Sequence, residues 1–531
     1  MEYKVIDNKA FLYNHLDDTY TDTKLKKLFD GDIINENDEL IQSKVREKYL
    51  LGVLSTSATQ TFGKNKSGKT IYITKPLNRN LPNFLISYGG KLKGKLIVKF
   101  KYNDWDNKLP SGIIEEVLGL YDDIDIQTLL LHHYNIYLNR KQLRGYIETS
   151  LNPLEDTINR INYDANIISI DPDDCEDIDD ALSLKETEFY FEVGVHIAQP
   201  IVWLNDEQLI EKSNTQFSTL YLNDNNINLW GNEVTQKSSL TPNKTKYAYS
   251  TIFYFDIYTL ELEKIIDFPS IIKNKHKLSY DNAYKNKYAN ELMEFTSSFN
   301  RFNDYKELVS YWMVKTNNHI GSKYNVPYRV NSIDTNNIRY NVDDEIKKIF
   351  NTRNANNAYY SYQENEHKSL GLKNYTHFTS PIRRIIDSLI HYNITYKQDL
   401  VLDLDIINEL DLNTKRMSRQ LELDNLIENI FMDTNVLIVR GYIYRIVNDN
   451  RLQVYVKDYG LGFVKVKLYD VTFSYLLNVE RSDYKLILSS DEKTMEYNLG
   501  DLIEIKIMKQ NDVLPRNKLV IIPNDDKIIN F

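Results

Sequence analysis

The chain has 531 residues, 42% of them hydrophobic, which is enough for several domains with sizeable cores. Its single cysteine, Cys175, excludes an internal disulfide and fits a reducing compartment; no segment is apolar enough to span a bilayer, and Met1-Glu-Tyr-Lys-Val does not open a signal peptide, so a cytoplasmic location is expected. The formal net charge of −10 excludes a globally basic surface, so any channel for nucleic acid has to be positive locally.

In chain order, residues 1–49 are mixed and charged and declare no element. From about 50 to 123, short β-rich runs are separated by turns: Gly52-Val-Leu54, Thr70-Ile-Tyr-Ile-Thr74, Asn83-Phe-Leu-Ile-Ser87 and Lys95-Leu-Ile-Val-Lys-Phe-Lys101. Evenly spaced short strands of this kind predict a small barrel. Lys91, Lys93, Lys95, Lys99 and Lys101 give it either a phosphate-binding flank or a solvated lysine face. Within it, Gly63-Lys-Asn-Lys-Ser-Gly-Lys-Thr70 matches the nucleotide-binding pattern GxxxxGKT. A true phosphate loop must open a helix at Lys69-Thr70. Here β-branched and aromatic residues follow, then Pro76, so the segment is expected to be a hairpin loop. Residues from about 124 to 160 read as helical, through Thr128-Leu-Leu-Leu-His-His-Tyr134 and again from Leu154 to Ile161.

The most informative stretch is Asp171-Pro-Asp-Asp-Cys-Glu-Asp-Ile-Asp-Asp180, with seven carboxylates in ten residues. Apolar Ile167-Ile-Ser-Ile170 precedes it. Ala181-Leu-Ser-Leu184 follows, and then alternation through Phe189, Phe191, Val193, Val195 and Ile197. The acidic run is thus a loop pinned between strands. Such dense like charge raises each carboxyl pKa unless a cation sits among them, and hard oxygen ligands suit Mg²⁺ or Mn²⁺. A solvated acidic loop is the plainer alternative. An EF-hand calcium loop is disfavoured, because Glu176 stands where its glycine belongs.

Further on, the insert between Arg329 and Tyr359 is rich in Asn and Asp and reads as loop. The block Tyr375-Thr-His-Phe-Thr-Ser-Pro-Ile-Arg-Arg384 leads into Ile385, Ile386, Leu389 and Ile390 at helical spacing. Ser380 is a suitable N-cap and Pro381 a suitable first helical residue, which would put Arg383 and Arg384 in the first turn. Cations are disfavoured there unless they share a bound anion, so a phosphate clamp is one reading and pairing with Asp387 the other. His391 reads as a packed helix histidine. Residues from about Asn413 to Met432 form another amphipathic helix, and from Thr434 short strands return, among them Val436–Val439, Leu452–Val456, Phe463–Lys467 and Leu502–Ile507.

The two blocks together resemble the signatures of the RNB family, the ribonuclease II and ribonuclease R exoribonucleases and their exosome relatives. In the first, Asp171, Asp177, Asp179 and Asp180 fall at the family's offsets; the second matches nearly residue for residue. Ser239-Leu-Thr-Pro-Asn243, Ala248-Tyr-Ser250 and Leu278-Ser-Tyr-Asp-Asn-Ala283 continue the likeness, with Lys246 replacing an arginine and Gln199 an aspartate. Asp104-Trp105, Pro110-Ser-Gly112 and Val117-Leu-Gly119 resemble a cold-shock barrel of the eukaryotic-type members.

The resemblance implies a multidomain α+β chain in which an RNB catalytic domain is flanked by small OB-type barrels. The segments would be 1–49 unassigned, 50–123 cold-shock barrel, 124–432 RNB domain and 433–531 C-terminal RNA-binding barrel. It further implies a monomeric, Mg²⁺-dependent (Mn²⁺ possible) 3′→5′ exoribonuclease that binds single-stranded RNA, releases nucleoside 5′-monophosphates and has no membrane partner. Asp171, Asp177, Asp179 and Asp180 would hold metal, Asp179, Arg383 and Glu422 would act in catalysis, and Tyr221, Arg383 and Arg384 would bind substrate, Tyr221 by stacking on the terminal base. For Tyr221 the alternative is a buried strand tyrosine. For the whole chain the alternatives are an inactive RNA-binding protein with the same fold, or a P-loop ATPase.

Overall fold

The structure is a computed structural model. It describes residues 1–6, 9–14, 19–23, 27–57, 61–78, 80–134, 136, 158–222, 226–332, 340, 342–353, 357–363, 365–398, 400, 402–432, 434–468, 478–490, 494–509 and 519–524. The chain divides into two units, residues 1–135 with 508–520, and residues 136–507 with 521–531.

In the first unit, residues 1–49 are not featureless. β1 (Glu2–Ile6), β2 (Lys9–Asn14), β3 (Thr19–Asp22), β4 (Ile33–Ile34) and β5 (Leu40–Gln42) form a sheet of order β3-β2-β1-β4-β5. Strands this short carry too few residues for alternation to show in the sequence. The expected barrel follows as β6 (Tyr49–Ser55), β7 (Thr70–Pro76), β8 (Phe84–Tyr88), β9 (Lys95–Tyr102) and β10 (Ser111–Leu120), closed in the order β10-β8-β7-β6-β9. Alternation along β9 sends Leu96, Val98 and Phe100 into the core beside Leu54, Phe84 and Ile86, and leaves Lys95 and Lys101 exposed. Gly112 is required where strands crowd, since a Cβ there would stand 2.8 Å from the Phe100 ring.

The GxxxxGKT segment is the turn between β6 and β7, and Thr70 opens a strand. The Asn65 side chain accepts from the amides of Ser67 and Lys69, so those two donors are already used. A phosphate loop is thereby excluded at this place.

The second unit is built on β11 (Ile161–Asn162), β12 (Ile167–Asp171), β13 (Asp180–Glu186), β14 (Tyr190–Ala198), β15 (Thr245–Asp256) and β16 (Leu262–Ser279). Their order is β11-β16-β12-β13-β14-β15, and β15 also pairs with β16, so the sheet closes on itself. Ile168, Ile170, Leu182, Val193, Val195 and Ile197 meet Trp230, Trp312, Ile385, Ile386 and Leu389 in one large core. The last three lie on the helix Ile385–Tyr396, which this core anchors. Burying such side chains contributes about 1.5–3 kcal/mol each.

Three local expectations are corrected. The insert expected to be loop contains the helix Asp344–Arg353. The helix expected from Asn413 begins at Leu404, where Asp403 caps it, and runs to Ile430. The helix expected from Pro381 begins at Ile385. Residues 380–384 instead form a turn and then an extended residue, Arg384 (φ −132°, ψ 129°). The cause is tertiary: the amide of Thr219 donates to the Arg383 carbonyl and the amide of Ile385 to the Phe217 carbonyl. The segment 217–219 thus captures backbone groups that a first helical turn would use. The expectation over Leu154 to Ile161 falls largely outside the described residues.

Toward the C-terminus, a five-stranded sheet runs in the order 462–467, 451–456, 436–448, 502–509 and 519–523, beside a three-stranded sheet of 478–481, 485–489 and 494–498. No described helix is long and apolar enough to cross a membrane.

Candidate active site

Asp171 is the last residue of β12 and Asp180 the first of β13, so the acidic run is the loop joining two antiparallel neighbours. Its exit is clamped by the segment after Ser238. The Ser239 hydroxyl accepts from the Ile178 amide (3.0 Å) and donates to the Glu176 carbonyl (2.9 Å), while the Leu240 amide donates to the Ile178 carbonyl. Asp173, Asp174 and Glu176 point to solvent, whereas Asp171 and Asp179 are buried.

The buried pair are poorly satisfied. Asp179 Oδ1 accepts from the Ile382 amide at 2.7 Å; its Oδ2 lies 3.3 Å from Arg383 Nε and has no hydrogen-bond partner. Asp171 Oδ2 has none either. Burial holds Asp179 well above the usual carboxylate range, against the pull of Arg383. Burial pushes Asp171 up to about 6, and burial with the charge of Asp171 pushes Asp180 up to about 8. Carboxyls held this way either keep a proton or take up a cation. Two buried, unpartnered hard oxygens suit Mg²⁺, which binds through one or two carboxylates plus waters and substrate phosphate. No three acidic, histidine or cysteine side chains already close around one point among the described residues, so an all-protein cage is not what is built here.

Around this cluster, Tyr221 has its ring half exposed and donates its hydroxyl to Asp177 Oδ2 at 2.9 Å. It is therefore not a buried strand residue, and burial with Asp177 raises its hydroxyl pKa steeply. Arg383 Nη2 donates to Ser380 Oγ at 3.1 Å, leaving a side chain 46% exposed beside Asp179. Arg384, the next residue on extended backbone, instead donates to buried Asp387 at 3.0 Å. Glu422 does not join them: it is exposed on the Leu404–Ile430 helix and makes no hydrogen bond or ion pair with the acidic loop. His391 is fully buried, stacks on Phe378 at 3.7 Å and shares a hydrogen bond with the Phe378 carbonyl, and burial holds it down to about 3. Gln199 donates to Thr395 Oγ1 and accepts from Arg160, apart from the carboxylates.

Two neighbours were not assigned a role from the sequence. Tyr280, just beyond β16, is pushed up to about 12 by burial and by Asp180 and Asp171. Lys277 on β16 donates to carbonyls of the acidic loop. Lys277 ends an alternating run, Lys273-Asn-Lys275-His-Lys277, that reads as a solvated strand face, so only the family-like Leu278-Ser-Tyr280 stretch pointed their way.

Comparison with known proteins bears directly on this arrangement. The model of the RNB domain matches residues 160–291 and 303–396, the stretches that carry the acidic loop, Tyr221 and both arginines. This chain carries an RNB domain. It is 22% identical to ribonuclease R of Mycoplasma genitalium over 85% of this chain and 76% of that protein. A probable exosome complex exonuclease RRP44 of Caenorhabditis elegans is 35% identical over 23% of this chain, and the exosome complex exonuclease dis3 of Schizosaccharomyces pombe 28% over 43%. The matches span only 13% and 25% of those two relatives. Among solved structures, the apo form of the Mycoplasma genitalium RNase R superposes with a TM-score of 0.71 at 17% identity, covering 98% of this chain and 99% of that one. Yeast Ssd1, described as a pseudonuclease, superposes at 0.63 and 16% identity over 86% and 69%. The RNB fold is therefore shared by catalysts and by at least one protein described as inactive.

Proposed function

We propose that this chain hydrolyses single-stranded RNA from the 3′ end, with Mg²⁺, and releases nucleoside 5′-monophosphates. The observation that carries this is the pair of buried carboxylate oxygens on Asp171 and Asp179 that accept no hydrogen bond, with the half-exposed guanidinium of Arg383 3.3 Å from the one on Asp179. Asp171, Asp177, Asp179 and Asp180 would hold the metal, whose chemistry is to acidify a bound water and neutralise charge on the scissile phosphate. Arg383 is placed to donate to the non-bridging phosphate oxygens; its contact with Asp179 orients it beforehand, and such preorganised donors are the largest electrostatic aid to a phosphoryl reaction. Tyr221, tethered by its hydroxyl to Asp177, offers a ring face to the terminal base. Arg384 holds the turn through Asp387 and reaches substrate only indirectly. Glu422, exposed on its helix, is assigned no part in this reading.

Relatives support the substrate: one solved Mycoplasma genitalium RNase R complex contains ribose-methylated single-stranded RNA and another double-stranded RNA. The competing reading, an RNA-binding protein without activity, draws on the likeness to Ssd1. The test is incubation with 5′-labelled single-stranded RNA, without ATP, in Mg²⁺ or in EDTA. Progressive shortening from the 3′ end in Mg²⁺ alone, with mononucleotide products, is the expected result. RNA binding with no cleavage in Mg²⁺ or Mn²⁺ would establish the inactive reading instead.

A further inference from the structure

We infer that Lys277 is a positioning residue for the acidic loop, holding its entry half in the shape that presents Asp171 and Asp177. The inference rests on the metal-dependent reading of that loop. Lys277 sits on β16 opposite Ser169 of β12, two residues before the strand ends and level with the start of the loop. Its ammonium donates to the Cys175 carbonyl at 2.6 Å and to the Asp173 carbonyl at 3.3 Å. Its side chain therefore bonds backbone in the loop, not the carboxylates. The loop is thus gripped at two places. Ser239 and Leu240 hold Glu176 and Ile178, and Lys277 holds Asp173 and Cys175, so Asp177 lies inside the first grip, two residues past Cys175, and Asp171 lies two residues ahead of the second.

The side chain suits the task. A lysine ammonium has three donors and no acceptor, so it can take two carbonyls at once amid carboxylates that would repel any acceptor. It also places a positive charge beside a loop of seven acidic residues before a metal arrives. The neighbouring Lys275 does a similar service outside the loop, donating to Asn166 Oδ1 at 2.8 Å.

Charge and grip predict opposite outcomes. If Lys277 acted only as a charge, removing it would tighten metal binding, since cations repel. If it shapes the loop, removing it weakens binding. Partners that orient metal ligands typically alter metal affinity by about 10–100-fold.

The experiment uses the full chain with Lys277→Met, Lys277→Gln and Lys277→Arg. Mn²⁺ binding is followed by the loss of the free-ion paramagnetic signal, with single-turnover cleavage against Mg²⁺ concentration alongside. Lys277→Met should weaken Mn²⁺ binding at least about tenfold and raise the half-saturating Mg²⁺ for cleavage in step. RNA affinity in EDTA should be unchanged. Lys277→Arg, which keeps charge and donors, should recover most of the loss, and Lys277→Gln, which keeps one amide donor pair, should fall between. If Lys277→Met binds Mn²⁺ as tightly as the wild type or more tightly, the inference is overturned. Should Lys277→Met not fold, Lys277→Gln takes its place, and undiminished Mn²⁺ binding by that variant overturns the inference equally. A wild-type chain that binds no Mn²⁺ would instead overturn the metal reading of the loop itself.

Discussion

Two buried carboxylates on adjacent strands of one sheet are treated in opposite ways. Asp267, on β16, accepts from Tyr249 (2.7 Å), Tyr324 (2.6 Å), Lys323 (2.6 Å) and His319 (2.9 Å). Those donors outweigh its burial and hold it far below the usual carboxylate range. Asp171, on β12, keeps one oxygen unpartnered and is pushed up to about 6. Asp179, at the far end of the loop, is likewise left with an orphaned oxygen. Burial is common to all three, so burial alone does not mark a functional acid. What separates them is whether the fold has supplied donors. A carboxylate that the fold completes is scaffold; one that it buries and leaves incomplete is waiting for something from solution.

Exchanging charges at both places tests this distinction most severely. Asp179→Asn is isosteric and should abolish hydrolysis by about a thousandfold or more, while RNA affinity stays near wild type, as expected for a group needed only in the reaction. The mutant should melt no lower than the metal-free wild type. Asp267→Asn should do the reverse, destabilising by about 3–5 kcal/mol because a buried ion network loses its centre. Its folded fraction should still cleave. Retention of a tenth of the rate in Asp179→Asn, or a fully stable Asp267→Asn, would erase the distinction.

Next in size is Arg383→Lys. The arginine reaches Asp179 through Nε and Ser380 through Nη2, a fork that lysine cannot reproduce. The chemical step should slow by about a hundredfold, the scale of losing one transition-state donor, with little change in melting temperature or RNA affinity. Near-normal single-turnover rates would show that the charge beside Asp179 is structural, like Lys323 beside Asp267.

Tyr221→Ala should have a smaller effect. Loss of one stacking face weakens the hold on the last nucleotides by about 1–3 kcal/mol, so longer end products should be released. An unchanged ladder would confine Tyr221 to its bond with Asp177.

The smallest expected effect is on stability against pH. Asp171 and Asp180 are raised in the folded chain, so the unfolded chain gives up their protons first. Their contribution is complete below about pH 4, the ordinary carboxylate value, and is lost as pH rises through about 6 and 8. Asp267 has the opposite sign, its contribution being present above about pH 4 and lost only in strong acid. Metal-free protein should therefore melt a few degrees lower at pH 8 than at pH 5, and saturating Mg²⁺ should flatten that slope. A slope unaffected by Mg²⁺ would detach the raised acids from the metal.

How much of this was legible in the sequence follows from how local each feature is. The four aspartates were visible because one loop carries them all, at fixed offsets between two β-rich runs. The β6–β7 turn was distinguishable from a phosphate loop because Ile71-Tyr-Ile73 declares a strand immediately. The start of the Ile385–Tyr396 helix was misplaced because Ser380-Pro381 is a good local signal overridden by a distant one, the segment 217–219. Glu422 was placed near the site by a short motif, and nothing local could show which way it faces. Lys277 meets its loop across 102 residues of sequence, a relation that only the β12–β16 register creates.

That register has a further consequence. β16 carries Asp267 in its first third and Lys277 near its end, ten residues further on. The strand works as a measuring rod, with one mark anchoring it to the scaffold and the other setting the active loop. Between the marks the register slips by one residue, Asn274 and His276 of β16 facing Ile167 and Ile168 of β12, so the face that Lys277 presents depends on the extra residue; losing it would leave Asp267 in its nest and turn Lys277 to the opposite face. The protein would keep its anchor and lose its alignment. Length along β16 is thus under a constraint that substitution tolerance at the intervening positions would not reveal.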